Sequence, residues 1–206
     1  MCGRFCLTAD LEEISALFHL KYSVVLKPRY NIAPNNVIPV IRKPGELEFL
    51  TWGLRPNWLK EGQNSFINAR IETLEERPAF KQAIKQRRCL IVANGYFEWK
   101  QIGTRKQPYH FFLPNNQVFA FAGIYDGDTC AIITAPTWQK DLVQIHQRMP
   151  LVLPQKYHAT WLDSKVKTIN LHEYLQENDI TFNVAAVSTK VNNPTNDFAE
   201  CIKALH

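Results

Sequence analysis

Short runs rich in β-branched and aromatic side chains dominate the chain from residue 37 onward, and they predict strands over residues 37–41, 47–52, 89–93, 96–100, 109–113, 118–125, 130–135 and 181–187. Turn residues part most of them, as at Pro44-Gly45, Pro114-Asn115-Asn116 and Asp126-Gly127. Helical periodicity is rarer. Thr8-Ala9-Asp10 precedes Leu11, Ile14, Leu17 and Phe18 at near-helical spacing, which predicts a short capped amphipathic helix. A second helix is predicted from Thr73. There Thr73 and Glu76 have capping-box spacing, and Phe80 and Ile84 share one side of a run carrying Lys81, Lys85, Arg87 and Arg88, so its outer face is expected to be basic. Two further helices fit residues 139–146 and 155–163.

This mixture reads as α+β: one domain over residues 1–206, with a mixed, largely antiparallel, barrel-like β core and a few peripheral helices. No fixed-period repeat, low-complexity tract or Ser/Gly-rich linker interrupts it, and the prolines are spread from Pro28 to Pro194. With 206 residues, 46% hydrophobic and 21% charged, the chain is long enough to bury a real core, which excludes a disordered chain or a miniprotein. The net charge of +5 is compatible with an anionic partner, though many ordinary enzymes share that balance. Five scattered cysteines, Cys2, Cys6, Cys89, Cys130 and Cys201, argue against a disulfide framework and for a reducing compartment. No window approaches the roughly 18 consecutive apolar residues of a membrane helix, and the first residues lack the apolar segment of a signal peptide. The expectation is a cytoplasmic monomer, nucleoid-associated in a bacterium, with no membrane contact.

Generic chemical motifs are absent: there is no phosphate-cradling Walker loop, no Gly-x-Gly-x-x-Gly, no His-Glu-x-x-His and no Cys-x-x-Cys. Cys2 and Cys6 have a spacing open to zinc, but nothing nearby supplies two more ligands, so neither a metal nor a cofactor is expected.

The unusual residue is Cys2. Removal of Met1, common before a small second residue, leaves a cysteine carrying a free α-amine and a thiol on adjacent carbons. Their reference pKa values, about 7.7 to 8.0 and about 8.5, make both partly nucleophilic near neutral pH. An aldehyde meeting such a 1,2-aminothiol first forms a Schiff base, onto which the thiol closes to give a thiazolidine ring. A cysteine at this position can equally have no chemical role.

Three other segments carry candidate groups. If the segment around Asn68 and Arg70 is extended, both side chains can point the same way, with the amide free to orient an amine and the guanidinium to hold a phosphate. A hydrogen-bond network at a helix start explains them as well. Alternation in Gly95-Tyr96-Phe97-Glu98-Trp99-Lys100 puts Glu98 on the face of Tyr96 and Lys100, opposite Phe97 and Trp99. A carboxylate buried there has a raised pKa and suits proton transfer, whereas a solvated strand face leaves it ordinary. Among the six histidines, His146 stands where a predicted helix gives way to a loop before Pro150, a place for a general acid or base or for a plain hydrogen bonder.

Taken in order, Met1-Cys2-Gly3-Arg4-Phe5, Pro28-Arg29-Tyr30-Asn31-Ile32-Ala33-Pro34, Trp52-Gly53-Leu54 with Trp58, Ile67-Asn68-Ala69-Arg70 with Glu72-Thr73, Gly95-Tyr96-Phe97-Glu98-Trp99-Lys100, Ile133-Thr134-Ala135 and Ile145-His146-Gln147-Arg148-Met149-Pro150 resemble the SRAP (SOS-response-associated peptidase) domain. Val187-Ser188 with Val191-Asn192 looks like the family's final segment. The resemblance implies a sensor of abasic sites in single-stranded DNA that cross-links itself to the ring-opened sugar, shielding the lesion, with lyase-type activity. It implies Cys2 as nucleophile, Asn68 as the residue positioning its amine, Glu98 as acid/base and His146 as the group assisting sugar ring opening. Arg4, Arg70 and Arg148 match phosphate contacts, Pro34 and Thr134 line the pocket, and Trp58 stacks at the strand. Departures from the family pattern include Asn35-Asn36, Asn94, Gln147 and Leu59, the last where some members carry a second aromatic.

Two functions of other classes compete. One is a thiol peptidase, a hydrolase built on Cys2 and His146 that removes its own leader; only Met1 precedes Cys2, so self-cleavage is not needed to free it. The other is a non-covalent reader of modified or single-stranded DNA, for which Trp58 and the basic helix suffice.

Overall fold

The structure is a computed structural model describing residues 2–22, 24–60, 62–177 and 179–205, the side chain of His172 excepted. Two largely antiparallel sheets and a few short helices make an α+β fold. The strands are β1 (Phe5–Leu7), β2 (Arg29–Ile32), β3 (Val37–Lys43), β4 (Glu46–Trp52), β5 (Asn68–Arg70), β6 (Arg88–Ala93), β7 (Gly95–Ile102), β8 (Arg105–Phe112), β9 (Phe119–Asp126), β10 (Thr129–Pro136), β11 (Arg148–Pro150) and β12 (Asn183–Ala186). The first sheet runs β12-β8-β7-β1-β2, the second β11-β10-β4-β3-β6-β9. In the second, β10 also pairs with β9 and, in parallel, with β5, which curls the sheet toward a barrel. Every predicted strand is present to within a few residues. The three-residue strands β1, β5 and β11, too short for a visible alternation, carry or adjoin Cys2, Asn68 and Arg148.

The first helix, α1 (Leu11–Phe18), forms as predicted. Asp10 caps it by accepting from the Glu13 backbone at 2.9 Å, and Ile14 and Phe18 face inward. The second prediction fails at its start. Helix α2 is Pro78–Gln86 with Arg77 as N-cap, because a proline fits the first helical turn but not its interior, and it holds the preceding residue extended. Thr73 closes a single 3-10 turn instead, and its hydroxyl is buried without a partner. The basic outer face is also smaller than expected. Arg88 is buried and its guanidinium is spent on the backbone carbonyls of Ile84, Lys85, Trp161, Asp163 and Val166. Of the helix expected over residues 139–146 only α3 (Lys140–Val143) forms. The segment 155–163 divides into a 3-10 turn and α4 (His158–Leu162), and α5 (Leu171–Gln176) was not anticipated.

Phe5 joins the two sheets at the core, packing edge-on against Trp52 at 5.1 Å and Phe121 at 5.7 Å between ring centres. The Trp52 indole donates to the Ile67 carbonyl at 2.9 Å, which fixes the approach to β5. All five cysteines are buried and free, and burial pushes the Cys89 and Cys130 thiols up, the latter to about 12.

Candidate active site

Strand β10 assembles one half of the site. Thr134 lies opposite Arg70 on one edge, with Asn68 two residues earlier on the same strand, and opposite Pro150 on the other, where Arg148 pairs with Pro136. Strand β7 supplies the second half. Phe5 of β1 pairs with Tyr96, and the Arg4 carbonyl accepts from the Phe97 backbone at 3.0 Å, so the residues before β1 run along β7 toward Glu98.

Cys2 is fully buried, and Asn68 Nδ2 donates to its carbonyl at 2.8 Å. The oxygen of the same amide, Asn68 Oδ1, is buried without a protein partner. That is the atom an ammonium group on residue 2 could use. Burial pushes the Cys2 thiol well above its ordinary range, with the Glu98 charge adding to the shift. The thiol therefore needs help to ionise. Met1, whose removal the sequence reading requires, lies outside the described residues.

Glu98 is 3% exposed, and burial raises its pKa to about 7, as expected for a carboxylate among aromatics. Its Oε2 lies 3.7 Å from His146 Nε2. Burial lowers the His146 pKa, so the ring is neutral at pH 7. Its Nδ1 faces both the backbone N–H of Arg148 at 3.1 Å and the Arg148 carbonyl at 2.9 Å, and its own carbonyl accepts from Thr137 Oγ1 at 2.8 Å. His146 sits in the loop between α3 and β11, where the sequence put it. Together Glu98, Trp99, Lys106, His146 and Asn192 line a cleft of about 420 Å³. A buried carboxylate that is half ionised at neutral pH beside a neutral imidazole can accept and return protons.

The cationic residues divide. Arg70 is exposed beside the site and available to an anion. Arg148 binds both carboxylate oxygens of Glu72 and the carbonyl and hydroxyl of Thr134. Arg4 holds the fold, since its Nη1 donates to Asn31 Oδ1 and to the Val191 carbonyl, each at 2.9 Å. Pro34 is partly buried before Asn35, a residue in the left-handed region that bonds the Trp52 carbonyl. Trp58 stands on the loop after β4 with 58% of its surface exposed. Sequence reasoning missed Glu72, Lys106 and Asn192 as site residues. Their only signal is placement across strands, which the linear order hides.

Asn94, one of the departures, anchors β1 from below. It donates to Thr8 Oγ1 at 2.8 Å and accepts from the Thr8 N–H at 3.0 Å. Among the described residues no group of acidic, His or Cys side chains could hold a metal, and no helix is long and apolar enough to cross a membrane.

A cysteine near the start of the chain, its backbone held by an amide near a buried carboxylate and an imidazole, thus has arginines on the neighbouring strands. The chain belongs to the SRAP family, described as SOS response associated peptidase, whose pattern matches residues 1–194. It is 35% identical to the abasic site processing protein YoqW of Bacillus subtilis, over 99% of this chain and all of that one. It is 30% identical to the abasic site processing protein YedK of Escherichia coli over the full length of both. Among solved structures, a protein of Bacteroides thetaiotaomicron shares the fold over the whole of both chains with a TM-score of 0.83 at 22% identity. A phage-related protein of Bordetella bronchiseptica gives a TM-score of 0.71 at 26% identity, over 90% of this chain and 94% of that one.

Proposed function

We propose that this protein processes abasic sites in single-stranded DNA by forming a thiazolidine cross-link through Cys2 once Met1 has been removed. The observation that carries the reading is the Glu98–His146 pair, 3.7 Å apart with Glu98 poised near pH 7, next to a Cys2 whose backbone Asn68 holds. Family membership and the names of the relatives supply the lesion.

The ionised Glu98 takes a proton from the Cys2 ammonium, and the free amine adds to the aldehyde carbon C1′ of the ring-opened sugar. His146 assists proton transfer first to the ring oxygen O4′ as the sugar opens, and later to the hydroxyl on C1′ as it leaves as water. The imine that results is attacked by the Cys2 sulfur, whose proton passes to the imine nitrogen. Aminothiol and aldehyde thus become a thiazolidine plus one water. An abasic nucleotide costs little to draw into the site because no base has to be unstacked. Arg70 and Arg148 are the phosphate contacts on the β5 and β11 sides, and Trp58 offers an exposed stacking face.

The test is a denaturing gel of the processed protein with a single-stranded oligonucleotide bearing one abasic site. A heat-resistant adduct that vanishes in Cys2→Ala is expected. No adduct from protein with a verified Cys2 terminus would overturn the reading. Turnover of peptides dependent on both Cys2 and His146 would favour the peptidase instead.

A further inference from the structure

Tyr96 combines two properties that do not normally coexist. Its ring is tightly packed, stacked on Phe111 with centres 4.7 Å apart and edge-on to Phe182 at 5.3 Å, and the residue is 1% exposed. Yet its hydroxyl is buried with no hydrogen-bond partner. A phenylalanine would keep all of the packing without the penalty of an unsatisfied polar atom.

The position of the hydroxyl explains its retention. Tyr96 and Glu98 share one face of β7, and the residues leading into β1 run antiparallel past them, from Phe5 opposite Tyr96 toward Cys2. The charges of both Glu98 and Cys2 act on the phenol, which burial holds far above its ordinary pKa, so it is permanently protonated. A protonated phenol is a hydrogen-bond donor. Of the two groups whose charge acts on the phenol, the Cys2 sulfur is the one that must ionise against both burial and the neighbouring carboxylate when it attacks.

We propose that the Tyr96 hydroxyl is a catalytic hydrogen-bond donor to the Cys2 sulfur, stabilising the thiolate as it closes the ring onto the imine. This rests on the reading of Cys2 as the cross-linking nucleophile and assigns to Tyr96 its second step. In that step the sulfur forms the bond to C1′ while the π electrons of the imine pass to nitrogen, which takes up the thiol proton. Tyr96 lends a hydrogen bond and keeps its own proton. If closure is slow, the imine has another outlet: loss of a proton from C2′ with departure of the 3′ phosphate, which cuts the strand. Tyr96 thereby sets the partition between shielding and cleavage.

The experiment compares processed wild type with Tyr96→Phe on one end-labelled abasic oligonucleotide, scoring heat-resistant adduct, borohydride-trapped imine and cleaved strand. Tyr96→Phe is expected to trap imine at a rate within about twofold of wild type while the ratio of heat-resistant adduct to trapped imine falls about tenfold and cleavage rises. It is also expected to melt no lower than wild type, since only an unsatisfied group is lost. Should Tyr96→Phe not fold, Tyr96→Met removes the donor with another apolar side chain and carries the same expected partition. An unchanged partition, or equal loss of imine and final adduct, would overturn the assignment. Wild type that yields neither imine nor adduct would instead overturn the reading of Cys2 itself.

Discussion

The guanidinium of Arg148 grips both carboxylate oxygens of Glu72, Nη1 to Oε1 at 2.6 Å and Nη2 to Oε2 at 3.0 Å, while the same Nη2 reaches the Thr134 carbonyl at 2.8 Å. The fork that would receive a phosphate is thus already filled by an internal anion, and Arg148 holds the Glu72 carboxyl below the ordinary range. Glu72 is nearly half exposed, so it can swing into solvent when a phosphate arrives.

Glu72→Gln is therefore expected to tighten binding of single-stranded DNA about fivefold at low salt, since a competing charge worth about 1 kcal/mol is removed. The gain should shrink as salt rises. Anisotropy titrations at two salt concentrations check this. Weaker binding by the variant would mean that Glu72 orients Arg148 for the phosphate rather than competing with it.

Glu98 makes stability depend on pH with a definite sign. Its folded pKa, about 7, lies above the ordinary 4.5, so the folded protein holds a proton that the unfolded chain has lost across that window. Stability is fully present below pH 4.5, falls as pH rises toward 7 and levels off above it, a loss of about 3 kcal/mol at most. Glu98→Gln has no such proton, so its melting temperature should exceed that of wild type at pH 8 and converge with it near pH 4.5. Cross-linking by the variant should be slowed far more than DNA binding is weakened.

Gly95 begins the strand that carries Tyr96 and Glu98, and it has no room for a side chain. A β-carbon there would stand 2.1 Å from His110 Nε2, whose ring is packed between Phe97 and Phe112. His110 cannot yield, because the same nitrogen lies 3.4 Å from Cys6 Sγ in the core. Gly95→Ala is expected to destabilise the protein by about 3 kcal/mol or more, read as a drop in denaturant midpoint, and to cost activity only through that loss.

The placement of residues is legible wherever it depends on local spacing. Two-residue periodicity put Glu98 on the face of Tyr96, and burial of that face then raised its pKa. The helix-to-loop change located His146, and the capped run from Asp10 became α1. What the sequence hides is set by pairing between distant strands. No local pattern says that Thr134 lies beside Arg70, that Glu72 occupies Arg148, or that Arg4 is bound to Asn31 and Val191. Similarly, Thr73 and Glu76 match a capping box by spacing, but Pro78 overrides it because a proline belongs in the first turn of a helix.

Asn68 offers two groups to Cys2, and substitutions can divide them. Its Nδ2 fixes the Cys2 carbonyl at 2.8 Å, while its unpartnered Oδ1 is free to accept from the amine on the same residue. Asn68→Ala removes both, leaving the nucleophile misplaced and its ammonium unheld. Formation of imine and of final adduct should then fall together, about 100-fold, with affinity for the DNA changed less than twofold. Asn68→Asp keeps an acceptor for the amine but sets a carboxylate oxygen against the Cys2 carbonyl, so it should lose activity through position alone. Rates about tenfold below wild type, between those of the parent and the alanine variant, are the expected result in a gel time course. An aspartate variant as slow as alanine would mean that holding the carbonyl is the whole of what Asn68 contributes.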